Sequence, residues 1–415
     1  MNAPRSHAST LARLAMLGGL AASLSLGCGG SDTQGQGGGG GGLAPATCTS
    51  SGPPRAAVFA IQGSAPEVRV LSLRDAKLVD HGLDFMLDAV PQSIAMRGDG
   101  AEAVIAYGGF GAPYGVVAVT LSPDGTSASR GKPVDLGSDL TPEGVAYVST
   151  DRVLLTASGA KTDAVITLDR KGDAFAETTR VPAPGRFPVQ LLRRAETDEA
   201  VLARVEFGVD DATSLDLLAP RADGGYVTHG ASGSIAPPIV SIGVHPGGGL
   251  VYGAAADPKD PVSPTNLAPK GLLHVLAASD AGLADRPPVE MPRLAGLVAV
   301  DPRGGLLVFA SPVYEIDPKN DEPTVRSYAL LTMALDEDGS PGNALAPTAP
   351  FDALLLNDMQ LAPSGHLVTA LELFPKMQPE ARSHPVEVRV QSKPGQWDVC
   401  QTLELPGASR VAFAP

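Results

Sequence analysis

An internal repeat of about fifty residues constrains this chain more than anything else in it. One recurring piece is a short alternating or apolar run that ends in a charged, glycine-bearing turn. It reads EVRVLSLRDAK from Glu67, VVAVTLSPDG from Val116, AVITLDRKGD from Ala164 and SLDLLAPRADGG from Ser214. It returns as LLHVLAASDAG from Leu272, ALLTMALDEDG from Ala329 and VEVRVQSKPG from Val386, seven copies spaced by roughly 48 to 58 residues. Period-two alternation is the signature of a strand with one buried face, and Asp-Gly, Lys-Gly and Pro-Gly are hairpin turn chemistry. Upstream of six copies lies a strand, a turn and a second apolar strand, beginning at Ser93, Gly144, Val189, Val240, Gly296 and Met359. Turn residues recur there at Gly98, Asp151, Asp198, Gly247, Gly304 and Gly365. A shorter fourth run, such as KPVDLG at Lys132 or CQTLELPG at Cys400, precedes the next unit.

Four short antiparallel strands per fifty residues describe the blade of a β-propeller, and seven third-strand runs predict seven blades. The composition agrees: 48 Gly and 38 Pro punctuate a chain whose apolar residues make up 43%. The first unit opens at RAAVFAI, from Arg55, as a second strand with no innermost strand before it. The chain ends on SRVAFAP, a strand without a partner in its own unit. The expected fold is therefore all-β, a seven-bladed propeller of four-stranded blades whose ring closes by pairing the C-terminal strand with the N-terminal blade. Closure of that kind leaves no long sheet edge exposed. A two-sheet sandwich and a right-handed β-solenoid are the alternatives, and the regular spacing and complementary ends favour the propeller.

SPDG at Ser122, HPGGGLVYGA at His245 and DPRGGLLVFA at Asp301 resemble the turn-plus-strand of lactonase-type seven-bladed propeller repeats. The resemblance spans most of residues 55–415 and implies the fold and, for activity, a hydrolase. It is carried by turn chemistry. No catalytic residue of that family matches a position here, so none is carried over.

The N-terminus reads as a targeting segment. Arg5 and Arg13 lie in a short positive region before an apolar stretch, residues 14–26, too short to span a bilayer and suited to a signal-peptide core. It runs into LSLGC, ending at Cys28, which resembles the bacterial lipoprotein box although Ser25 stands where that box prefers Leu. The resemblance implies cleavage before Cys28 and its lipidation. Residues 29–42, GGSDTQGQGGGGGG, then form a spacer with nothing to bury. The expected organisation is a lipoprotein signal peptide over 1–27, a lipidated cysteine and tether over 28–54, and the propeller over 55–415. Membrane attachment is expected through lipid, and Gly29 after the cysteine implies the outer membrane of the cell envelope. Cys48 and Cys400 are the two remaining cysteines, near opposite ends of the folded region in an oxidising compartment, and are expected to form a disulfide.

A net charge of −14 repels a phosphate backbone and argues against nucleic acid as a partner. The connection between the second and third strands is short in early blades, as in SGAKTD at Ser158, and long in three later ones, beginning at Asp257, Pro312 and Glu372. Insertions gathered on one face of a repeat array mark a binding surface. Charged residues near the starts of innermost strands, Asp88, Glu143, Arg186, Arg293, Asp358 and Arg410, are candidates for a channel-mouth binding site. Asp317, Asn320, Asp321 and Glu322 lack the spacing of a calcium loop and read as a solvated turn, so no metal or other cofactor is expected. GxSxG, HExxH and the phosphate-loop motif are absent; GTSASRGKP at Gly125 has one residue too many. SGAK at Ser158 fits SxxK in letters but lies in a strand-to-strand loop. His245 and His366 in turns and His274 in a strand read as structural. The expectation is a binding or scaffolding module for an envelope protein or polymer, with a lactonase-like hydrolase as the alternative.

Overall fold

The computed structural model describes residues 48, 52–62, 65–109, 113–137, 139–159, 161–185, 187–206, 212–239, 241–353, 355–373 and 383–415. Cys28, Arg186 and the tether lie outside them. The described residues form seven antiparallel sheets, each ordered from an innermost to an outermost strand, and contain no helix. Blade 1 is Lys77–Met86, Glu67–Arg74, Arg55–Ile61 and, innermost, Ala408–Phe413. The other innermost strands, blades 2 to 7 in order, are Pro91–Met96, Leu140–Ser149, Pro188–Arg193, Ile242–Val244, Val298–Val300 and Leu355–Leu361. The seven-bladed propeller expected from the repeat is the fold of the protein.

Burial follows position in the blade. Second strands such as Glu102–Tyr107 and Leu367–Glu372 are buried at every residue. Both their faces are covered by neighbouring blades, so they read as apolar runs without alternation. Alanine is frequent there (Ala57, Ala60, Ala103, Ala106, Ala254 and Ala370 are all buried) because sheets packed face to face near the axis have little room for larger side chains. Outermost strands are mostly exposed: in Lys77–Met86 only Leu78 is buried. The apolar residues fall into seven clusters, and each joins two adjacent blades. One example packs Leu250 and Tyr252 of blade 5 against Leu307 and Phe309 of blade 6. Stability is thus spread over seven similar interfaces.

The ring closes as the complementary ends predict. Arg55–Ile61 pairs antiparallel with Ala408–Phe413, from Ala57 opposite Phe413 to Ile61 opposite Ala408. Gln62 N–H donates to Gly407 O at 2.7 Å, Ala414 N–H to Ala56 O at 2.9 Å, and Ser409 Oγ to Ala60 O at 3.1 Å. Gly407 has a φ of +80°, and a Cβ there would lie 1.7 Å from the Gln62 carbonyl oxygen, so this turn admits only glycine. The disulfide Cys48–Cys400 spans 352 residues of sequence with Cα atoms 5.3 Å apart. Cys400 belongs to Gln396–Glu404, the outermost strand of blade 7. Beside it, Gln401 accepts from Leu78 N–H at 2.5 Å and donates to Leu78 O at 3.1 Å, tying blade 7 to blade 1.

Alternating strand directions put every turn from second to third strand on one face, together with the links between blades. The turns from first to second strand open on the other face. Among the long connections, residues 257–270 are bound together by Asp260, which accepts from Asn266 Nδ2 at 2.8 Å and Lys270 N–H at 2.7 Å. The second extends the blade 6 hairpin, Leu306–Asp317 pairing with Glu322–Leu335 up to Asp317 opposite Glu322. At its tip Asp317 Oδ1 accepts from Lys319 N–H at 3.0 Å and Asn320 Oδ1 from Glu322 N–H at 3.2 Å. Part of the third, residues 374–382, lies outside the described residues.

Candidate functional site

A channel of about 540 Å³ runs down the axis, lined by the innermost strand of every blade. Each of those strands is paired on one side only, so its other edge turns backbone N–H and C=O groups toward the channel. A lining of that kind is polar whatever its side chains are.

In five blades the innermost strand carries a one-residue register shift, a bulge, near its start. The extra residue is Gln92 in blade 2, Glu143 in blade 3, Val189 in blade 4, Asn357 in blade 7 and Ser409 in blade 1. A bulge re-aims the side chains around it. In blades 2, 4 and 7 the residue after it reaches sideways to the next blade. Ser93 Oγ accepts from Val145 N–H at 3.2 Å, Gln190 Oε1 from Ile242 N–H at 2.8 Å, and Asp358 Oδ2 from Val411 N–H at 2.8 Å. Ser241 Oγ does the same for Val298 N–H at 3.4 Å. These bonds form a belt of blade-to-blade stitches around the mouth. In blade 3 the post-bulge residue is Gly144, which has no side chain to reach across, and a Cβ there would lie 2.9 Å from Leu191 Cβ.

Of the residues singled out in the sequence, Glu143, Asp358 and Arg410 line the channel. Asp358 is committed to the belt: it also accepts from Met359 N–H at 2.8 Å and Gln360 Nε2 at 3.3 Å. Burial pushes its carboxyl above the ordinary range, while the Arg410 charge and these donors pull the other way. Arg410 Nη1 donates to Asn357 O at 2.9 Å and to Ser409 O at 3.0 Å. Glu143, on its bulge, is a channel-lining carboxyl whose protonation is shifted toward neutrality. Burial pushes its carboxyl up to about 7, the Ser158 hydroxyl bond opposes this, and the nearby Asp163 charge adds to it. Asp88 and Arg293 are not among the lining residues; Asp88 lies 3.6 Å from Arg130 and is mostly exposed. The six candidates therefore do not form one cluster.

Sequence reading missed Gln190, Ser93 and Arg193. Arg193 lines the opposite mouth of the channel and also a side pocket of about 400 Å³ formed with Arg97, Gly98, Asp99, Ser149, Thr150 and Asp198. Its signal is a charged residue ending an innermost strand where other blades end on Met96, Val244, Val300 and Leu361.

No family model and no curated protein matches this chain. Solved structures do. The periplasmic gluconolactonase of Pseudomonas aeruginosa superposes with a TM-score of 0.59 at 13% identity, covering 87% of this chain and 99% of that one. A candidate 6-phosphogluconolactonase of Bacteroides uniformis gives 0.57 at 13% identity, over 87% and 100%. A hypothetical selenium-binding protein of Sulfolobus tokodaii gives 0.55 at 8% identity, over 88% and 94%. At these identities the likeness is one of fold, and proteins of very different names share it.

Proposed function

We propose that this is a lipid-anchored envelope propeller acting as a binding module. Its partner, an envelope protein or polymer, would be held on the face bearing the long second-to-third-strand connections. The observation that carries this is that the long connections belong to consecutive blades, 5, 6 and 7, and leave their strands on the face that carries the links between blades. Asp358 and Arg410 at that mouth are already bonded to the frame, which supports a surface that recognises over one that reacts. A photo-crosslinking side chain at exposed Val262 or Lys319 is expected to give discrete adducts in cells. The same group at exposed Asp223, in a turn on the opposite face, is expected to give none. Adducts of equal yield from all three positions, or from none, would sink the proposal.

Glu143 favours a second reading, a lactone hydrolase, because a carboxyl with its pKa near 7 inside a channel has the poise of a general base. The named activity of the P. aeruginosa fold neighbour lies in the same direction. Opening of glucono-δ-lactone above the buffer rate, rising through pH 7 and lost in Glu143→Gln, would replace the binding reading with this one.

A further inference from the structure

We infer that Arg193 and the pocket beside it form a binding subsite for a small monocarboxylate at the channel mouth opposite the long connections. The inference goes beyond the proposed function, which concerns the other face.

Four observations converge on Arg193. It ends Pro188–Arg193 and lines both the channel and the side pocket, so the two spaces meet at its side chain. Its Nε is buried and makes no hydrogen bond. Among the described residues no carboxylate stands within ion-pairing distance of its guanidinium. Arg97, by contrast, donates from Nε to Asp99 at 2.8 Å and lies 3.8 Å from Glu102; Glu102 is also held by Arg170 and by the Tyr147 hydroxyl at 2.5 Å. Arg193 as a whole is half-buried, but a buried Nε–H without an acceptor is costly, and a ligand oxyanion is a group that relieves it. Finally, the guanidinium passes over Gly98 of blade 2, where a Cβ would lie 3.2 Å from Nη1. Glycine leaves the room that the guanidinium itself takes up.

The charge count selects the ligand class. Arg97 is neutralised by Asp99 and Glu102, and the pocket's other acid, Asp198, sits exposed at the rim. Arg193 is the pocket's cation without a direct ion-pair partner among the described residues, which suits a single negative charge, and the fork of guanidinium donors matches a carboxylate in plane. Ser149 and Thr150 also line the pocket. A dianionic phosphate would face the same single cation with twice the charge, next to Asp99 and Asp198. The neutral polar remainder of the ligand would extend up the channel past its backbone edges.

Calorimetric titration of the folded protein with D-glycerate, D-gluconate and inorganic phosphate tests this. Saturable binding of at least one of the two carboxylates below about 10 mM is expected, with phosphate weaker. Arg193→Gln should lower that affinity by about tenfold, the usual effect of losing one charge-assisted pair. Gly98→Ala retains the charge but crowds the guanidinium, and is expected to weaken binding several-fold with an unchanged melting temperature. That second variant keeps the inference testable if Arg193→Gln fails to fold. Absence of saturable carboxylate binding, tighter binding of phosphate, or an affinity indifferent to both substitutions would overturn it.

Discussion

Glu143 shows how one residue acquires a chemistry that its letter does not announce. Carboxylates near strand starts are common in this acidic chain, and Asp88, mostly exposed, gains only the Arg130 ion pair. Glu143 differs because it sits on a bulge at the channel lining, half-buried and bonded to the Ser158 hydroxyl. Its carboxyl, raised from 4.5 to about 7, leaves the folded state binding more protons than the unfolded chain between those two values. The resulting stabilisation is present at low pH and is lost as pH rises through 7. Glu143→Gln keeps an acceptor for the Ser158 hydroxyl and removes the titration. The variant should match the wild type near pH 4.5 and exceed it by about 1–2 kcal/mol at pH 8, the shift being discounted for partial exposure. Urea unfolding at both pH values measures this, and parallel pH profiles for the two proteins would refute it.

Among the elements, Ala408–Phe413 bears most on the integrity of the ring. It supplies the innermost strand of blade 1, and Ala408, Val411 and Ala414 enter the clusters on both sides of that blade. Removing residues 408–415 strips the ladder from Arg55–Ile61 and opens both interfaces. Each ladder bond contributes about 1 kcal/mol and a buried valine about 2 kcal/mol, so a loss of at least 5 kcal/mol is expected. The disulfide works elsewhere, holding the segment before Arg55 to the outermost strand of blade 7. Replacing Cys48 and Cys400 together by serine should cost about 2–4 kcal/mol, chiefly through the entropy of the unfolded chain, with the ring still closed. Denaturant melts of the two variants should therefore rank the truncation as much the more damaging. Equal midpoints for the truncated and full-length proteins would mean that the strand does not close the ring.

For the whole molecule, attachment and architecture are separable. Lipidation at Cys28, outside the described residues, remains a proposal from LSLGC and the glycine tether. Radioactive palmitate should label the wild type and not Cys28→Ala, with both folding alike; equal labelling of both would remove the anchor. The propeller itself was legible in the sequence because its information is periodic. Hairpin turns and apolar second strands recur every fifty residues, and each is fixed by local chemistry and by burial between like neighbours. Complementary ends and a cysteine pair 352 residues apart made closure legible too. The channel was not legible in the same way. Of the five candidates among the described residues only Glu143, Asp358 and Arg410 reach its lining, since a bulge of one residue decides which side chain faces the axis, and no residue type marks a bulge. Arg193 was invisible for a related reason. Its importance lies in what does not pair with it, and only the packed ring decides which charges find partners.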